Sequence, residues 1–71
     1  MSYREIGYTF DDGSRVIEST MTHVLVIRNE PFGGAWFEVC DHDGFYGVCY
    51  WELETARQVL AERSDRVPVN H

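Results

Sequence analysis

Residues 35–50 read AWFEVCDHDGFYGVCY, and this stretch decides the fold. From Ala35 to Asp41 the side chains alternate, with Trp36, Glu38 and Cys40 opposed to Ala35, Phe37 and Val39. That period of two is the signature of a β-strand. His42-Asp43-Gly44 supplies turn chemistry, and Phe45 to Tyr50 is again rich in aromatic and β-branched residues. Two β-rich arms around an Asp-Gly turn predict a hairpin. Directly behind it the pattern changes period. Trp51 to Arg63 carries good helix formers, and Leu53, Ala56, Val59 and Leu60 make an apolar stripe at helical spacing. Glu52 and Glu54 in the first turn and Arg63 in the last complement the helix dipole.

Upstream, Tyr3 to Phe10 also alternates and runs into Asp11-Asp12-Gly13-Ser14, which predicts a first hairpin. Arg15 to Arg28 is mostly β-branched or apolar, and its fourteen residues exceed the usual strand of about 5–6. Either this segment is one long strand bent near Ser19 and Thr20, or it divides. A short helical turn through Val16, Ile17, Thr20, Met21 and Val24 also fits. Asn29 to Gly34 is a turn by composition. The expected architecture is α+β: an antiparallel sheet of about four strands with one C-terminal helix packed on one face. Residues 1–66 are expected to form a single domain, and 67–71, beyond the last helical residues and interrupted by Pro68, a flexible tail. A single helix shields one face only, so the other is polar or is open to a partner.

With 71 residues the chain has room for one domain, and its ten aromatic residues supply much of the apolar area for a small core. Twelve carboxylates face six cationic groups, all arginine, for a net charge of −6. Such a balance argues against direct binding to nucleic acid or to an anionic membrane, and it favours long-range attraction to a basic partner. No stretch approaches the ~20 apolar residues of a membrane span. The opening residues have neither the charged start nor the apolar centre of a signal peptide. A cytoplasmic location is expected, within the host bacterium if the gene belongs to a phage. Cys40 and Cys49 flank the second hairpin turn and are expected as free, partly buried thiols.

Candidate chemistry is sparse. Asp41-His42-Asp43-Gly44 holds carboxylates and an imidazole, but a calcium loop with Gly44 at its sixth position would begin at Val39 and end at Tyr50, neither a ligand. Tight-turn chemistry accounts for the same residues. A thiol nucleophile would pair Cys40 or Cys49 with His42 or His23, yet no third, orienting group is evident. His23 reads as a strand residue. There is no Walker loop, nucleophile elbow or Cys-Xaa-Xaa-Cys pair. The expectation is a non-enzymatic protein with no cofactor and no metal.

What remains is the placement of charge and rings. Asp11, Asp12, Glu30, Asp41 and Asp43 lie in or beside turns, while Glu52 and Glu54 open the helix. If residues 15–28 form one strand, the Asp11/Asp12 and Asp41/Asp43 turns share a rim of the sheet; if the segment divides, they fall at opposite rims. Rows of carboxylates can imitate duplex phosphates. Small size, acidity, abundant aromatics and the lack of a catalytic motif together make the chain resemble the small phage-encoded anti-CRISPR proteins. The resemblance implies an inhibitor that binds a CRISPR surveillance complex, a basic nucleoprotein partner, and obstructs DNA recognition as a DNA mimic. It carries over no individual residue. The alternative is a structural or regulatory interaction module, monomeric or homodimeric, that uses an aromatic sheet face around Trp36, Phe37, Tyr46 and Tyr50.

Overall fold

The computed structural model describes residues 3–30 and 32–65. Four strands and one helix follow in order: β1 (Arg15–Ser19), β2 (His23–Asn29), β3 (Ala35–Asp41), β4 (Val48–Tyr50) and α1 (Leu53–Asp65). The sheet is antiparallel throughout, in sequential order β1-β2-β3-β4. This is the α+β layering read from the sequence, reached with a different set of four strands.

The segment 15–28 divides. Thr20 N–H donates to the His23 carbonyl at 2.9 Å across a two-residue turn, Met21-Thr22. No glycine, proline or asparagine marks that turn. Instead the Thr20 hydroxyl does the work of turn residues, accepting the His23 N–H at 3.1 Å. The first expected strand, in contrast, does not persist. The turn at Phe10–Ser14 forms, with Phe10 N–H donating to Ser14 at 2.8 Å and Gly13 at φ 92°, but only one bridge, Thr9↔Arg15, lies beyond it. Gly7, at φ 97°, breaks the ladder where Tyr8 N–H turns back to Glu5. Residues 3–14 thus make a strap rather than a strand. The fourth strand starts at Val48, not at Phe45, because Tyr46 takes a left-handed conformation at φ 60°. The helix covers Leu53–Asp65, two residues later than expected at each end, within the ordinary uncertainty of helix limits. The expected tail, 67–71, lies outside the described residues.

Strand alternation sorts the core into two halves. On the helix side, Leu25 and Val39 pack with Ala56 and Leu60, and Ile17, Phe37, Tyr50, Leu53 and Val59 complete the cluster. On the other side Val16, Val24, Val26 and Cys40 form a second cluster, closed by Phe10 from the strap. Ordinary alternation puts Ile17 in the helix-side cluster and Val16 on the other, and a bulge interrupts the register between Val16 and Glu18.

His42 fastens the strap. Its ring is 1% exposed. Arg4 N–H donates to Nδ1 at 2.9 Å, so the ring proton sits on Nε2, which donates to the Thr20 carbonyl at 2.6 Å. Tyr3 stacks at 4.6 Å between ring centroids, and the Arg4 carbonyl accepts the Ser19 hydroxyl at 2.8 Å. One side chain therefore ties the strap, the β1–β2 turn and the end of β3. His42→Ala would strand two backbone groups and leave a cavity. The expected loss is about 2–4 kcal/mol, read from chemical denaturation; a loss under about 0.5 kcal/mol, the scale of an ordinary surface substitution, would show that the strap is held by other contacts.

Candidate functional site: an acidic groove and an aromatic hollow

The face away from α1 carries the polar surface of interest. In register, Val26 pairs with Glu38 and Glu38 with Cys49, while Arg28 pairs with Trp36. These residues point to the same side as Cys40, and the strap crosses beside them. Between strap and sheet runs an open groove of about 290 Å³, lined by Asp11, Asp12, Arg28, Glu38 and Asp43 among others.

Arg28 organises this groove. Its Nη1 donates to Glu38 at 2.8 Å and its Nη2 pairs with Asp12, so one guanidinium joins the strap turn to β3. Its cationic carbon also lies 5.9 Å from the Trp36 ring centroid. The Glu38 hydrogen bond is the main influence raising the Arg28 pKa, which keeps the cation permanent. Asp12 is held below the usual carboxylate range, first by its hydrogen bonds with Ser14 and then by the nearby Arg28. Gly47 makes room for the Glu38 carboxylate: a Cβ at that position would lie 2.0 Å from one of its oxygens, so a side chain there would push the Glu38 side chain aside.

The acidic residues singled out from the sequence separate into different roles. Asp12 pairs with Arg28, which it shares with Glu38. Asp41 is a turn residue, its Oδ1 accepting the N–H groups of Asp43 and Phe45 at 2.9 and 2.8 Å. The Glu52 carbonyl accepts the Ala56 N–H at 3.1 Å, the first bond of the α1 ladder, while Glu54 leans on Arg57 at 3.4 Å. Asp11 and Asp43 are exposed, pair with no cation among the described residues, and both line the groove. The divided segment places their turns at opposite rims, yet the strap and the β3–β4 loop curl over one face, where Gly44 approaches the Phe10 ring. Carboxylates from two rims thus meet at one groove. Glu38, also in the groove, was not singled out from the sequence; its place in the strand pattern beside Arg28 was the available signal.

The aromatic set does not form one face. Trp36 and Phe37 are consecutive on β3 and point to opposite sides. Phe37 and Tyr50 pack under the helix, whereas Tyr46 is 86% exposed in the loop before β4, its carbonyl accepting Arg63 at 3.1 Å. The aromatic surface is instead Trp36 with Trp51, whose ring centroids are 6.2 Å apart at 67°. They border a hollow of about 230 Å³ with Glu30 and Cys49.

The histidine and thiols are engaged otherwise than in a nucleophilic pair. His42 uses both ring nitrogens on backbone groups. Burial pushes the Cys40 thiol up to about 12, with the Glu38 carboxylate adding to the effect. Cys40 is buried and Cys49 exposed; both thiols are free. His23 sits on β2 with Nδ1 2.8 Å from the Thr22 hydroxyl, and burial lowers its pKa. Among the described residues no three His, Cys, Asp or Glu side chains come together as a metal site, and no helix is long and apolar enough to cross a membrane. Compared with known proteins, the chain matches no family model, no curated protein and no solved structure.

Arg28 is the decisive electrostatic group of the site. Arg28→Gln would leave Glu38, whose side chain is only 13% exposed, without its cation. The expected destabilisation is about 1–3 kcal/mol, and the double variant Arg28→Gln/Glu38→Gln should recover part of it. Equal losses in the two variants, measured by denaturant titration, would mean that the pair contributes nothing specific.

Proposed function

We propose that the protein acts by binding, as a non-enzymatic inhibitor whose acidic groove face engages a basic, nucleic-acid-handling protein. The observation that supports this reading is the convergence of Asp11 and Asp43, both without a cationic partner among the described residues, on one open groove of a chain with net charge −6. Exposed carboxylates held by a small scaffold present fixed negative charge to a cationic surface, and association is then steered over a distance set by ionic strength. The groove floor contributes Glu38 and Asp12, which share the single cation of Arg28, so negative charge remains on the floor as well as at the margins. In this reading the margins compete with DNA phosphates for arginine and lysine side chains, as a DNA mimic. The likeness to phage anti-CRISPR proteins makes a CRISPR surveillance complex in the host cytoplasm the first partner to test.

A second reading is favoured by a separate observation: Trp51 is 72% exposed, and Phe45 and Tyr46 are also exposed. A protein-interaction module would use such rings as anchors. Phe37 and Tyr50 pack under the helix, so a test of aromatic binding falls on Trp36, Trp51, Phe45 and Tyr46.

Binding to a purified CRISPR surveillance complex, titrated at about 50 and 500 mM salt, separates the readings. The acidic-face reading predicts a fall of tenfold or more in affinity as the Debye length contracts from above 10 Å to a few ångströms. It also predicts that Asp11→Asn/Asp43→Asn weakens binding by roughly tenfold, or about 1.4 kcal/mol. A flat salt response, with loss of binding in Trp51→Ala alone, would transfer the function to the aromatic surface.

A further inference from the structure

The hollow beside Trp36 and Trp51 has a composition that neither strand packing nor turn chemistry requires. Its walls are two indole rings inclined at 67°. Glu30 supplies a carboxylate at its border and Cys49 the remaining side. Burial, and then the Glu38 carboxylate, keep the Cys49 thiol above its ordinary pKa and therefore uncharged, which leaves Glu30 as the one formal charge of the lining. No cation among the described residues pairs with Glu30. Trp51 is held there while 72% exposed, although burying an indole is strongly favourable. The Trp36 Nε1 is buried with no oxygen or nitrogen acceptor among the described residues, and the Cys49 sulfur is the polar group beside it.

Two aromatic walls with one carboxylate are suited to a desolvated organic cation, since ring faces are electronegative and the carboxylate fixes the charge. Among protein side chains arginine fits best. Its planar guanidinium stacks on an indole and can also present two parallel N–H groups to a carboxylate, whereas the lysine ammonium is a strongly hydrated point charge. The molecule already uses this contact internally, with Arg28 lying 5.9 Å from the Trp36 ring centroid. We propose that the hollow beside Trp36 and Trp51 is an anchor site for one arginine side chain of a partner protein, stacked on indole and paired with Glu30. The proposal deepens the basic-partner reading and rests on it for the source of the arginine. It adds a discrete contact to a diffuse electrostatic one.

The chain has two tryptophans, both in this hollow, so the two indole N–H signals in a nitrogen–proton NMR spectrum report on the site directly. The probes are N-acetyl-arginine amide, its neutral isostere N-acetyl-citrulline amide, and N-acetyl-lysine amide. The arginine amide should move both indole signals saturably, the lysine amide more weakly and the citrulline amide not at all. Glu30→Gln should weaken the arginine response about two- to fivefold. Trp51→Ala, at an exposed position, should abolish the shift of the remaining indole while leaving the folded amide spectrum intact. Equal responses to arginine and citrulline, equal responses to arginine and lysine, or no saturable shift with arginine would each overturn the proposal. Such a failure leaves the salt dependence of partner binding untouched, because that measurement reads the groove carboxylates and not the hollow.

Discussion

A four-stranded sheet with one helix has a face that the helix cannot cover, and everything distinctive in this protein follows from how that face is closed. The closure depends on the His42 ring, held between the Arg4 N–H and the Thr20 carbonyl. A histidine is well suited to the position, because its neutral ring offers one acceptor and one donor on opposite sides. It satisfies a backbone donor and a backbone acceptor from segments that strand pairing does not join, and it is nearly inaccessible to solvent. Backbone bonds from Gly7 N–H to the Val16 carbonyl and from Val16 N–H to the Tyr8 carbonyl, both 2.8 Å, hold the strap to β1 nearer its turn, and His42 fixes the Arg4 end that lies beyond them.

Closure of this kind also creates a surface. The strap carries Phe10 onto Val16, Val24, Val26 and Cys40, which completes the second half of the core. In doing so it brings Asp11 and Asp12 over the sheet, toward Asp43 on the β3–β4 loop. Arg28 then pairs with both Glu38 and Asp12, one cation between two carboxylates, while Asp11 and Asp43 stay exposed without a cationic partner among the described residues. Stability and charge display are therefore coupled: the contact that buries the strap is also the one that sets the spacing of the acidic margin. The aromatic hollow is a separate surface, linked to the groove through Arg28, which lines the groove and lies 5.9 Å from the Trp36 ring centroid.

Much of this architecture was legible in the chain because its signals are local. The Asp-Gly turn before Phe45, the period of two from Ala35 to Asp41, and the helical stripe from Leu53 to Leu60 each act within a few residues and survive in the structure. The division at Met21-Thr22 was present as an alternative only, because a threonine hydroxyl takes the place of the usual glycine or asparagine. The strap was misread as a strand: its alternation is genuine, but Gly7 and the long-range pull of His42 overrode it. Long-range contacts also governed the candidate site. Arg4 and His42 are 38 residues apart, as are few pairs that local pattern can connect. The aromatic set divides by strand parity, which is local: Phe37 turns under the helix while Trp36 faces away from it toward Trp51.

Amide hydrogen exchange at Arg4 tests the closure most directly. The Arg4 N–H donates to a buried ring nitrogen, so it should exchange about as slowly as the amides of the central strands β2 and β3, well beyond its neighbours in the exposed strap. Protection of this one amide would place His42 where the groove requires it. Exchange at the rate of an open chain, with β2 and β3 still protected, would show that the strap is detached and that the acidic groove has lost one of its walls.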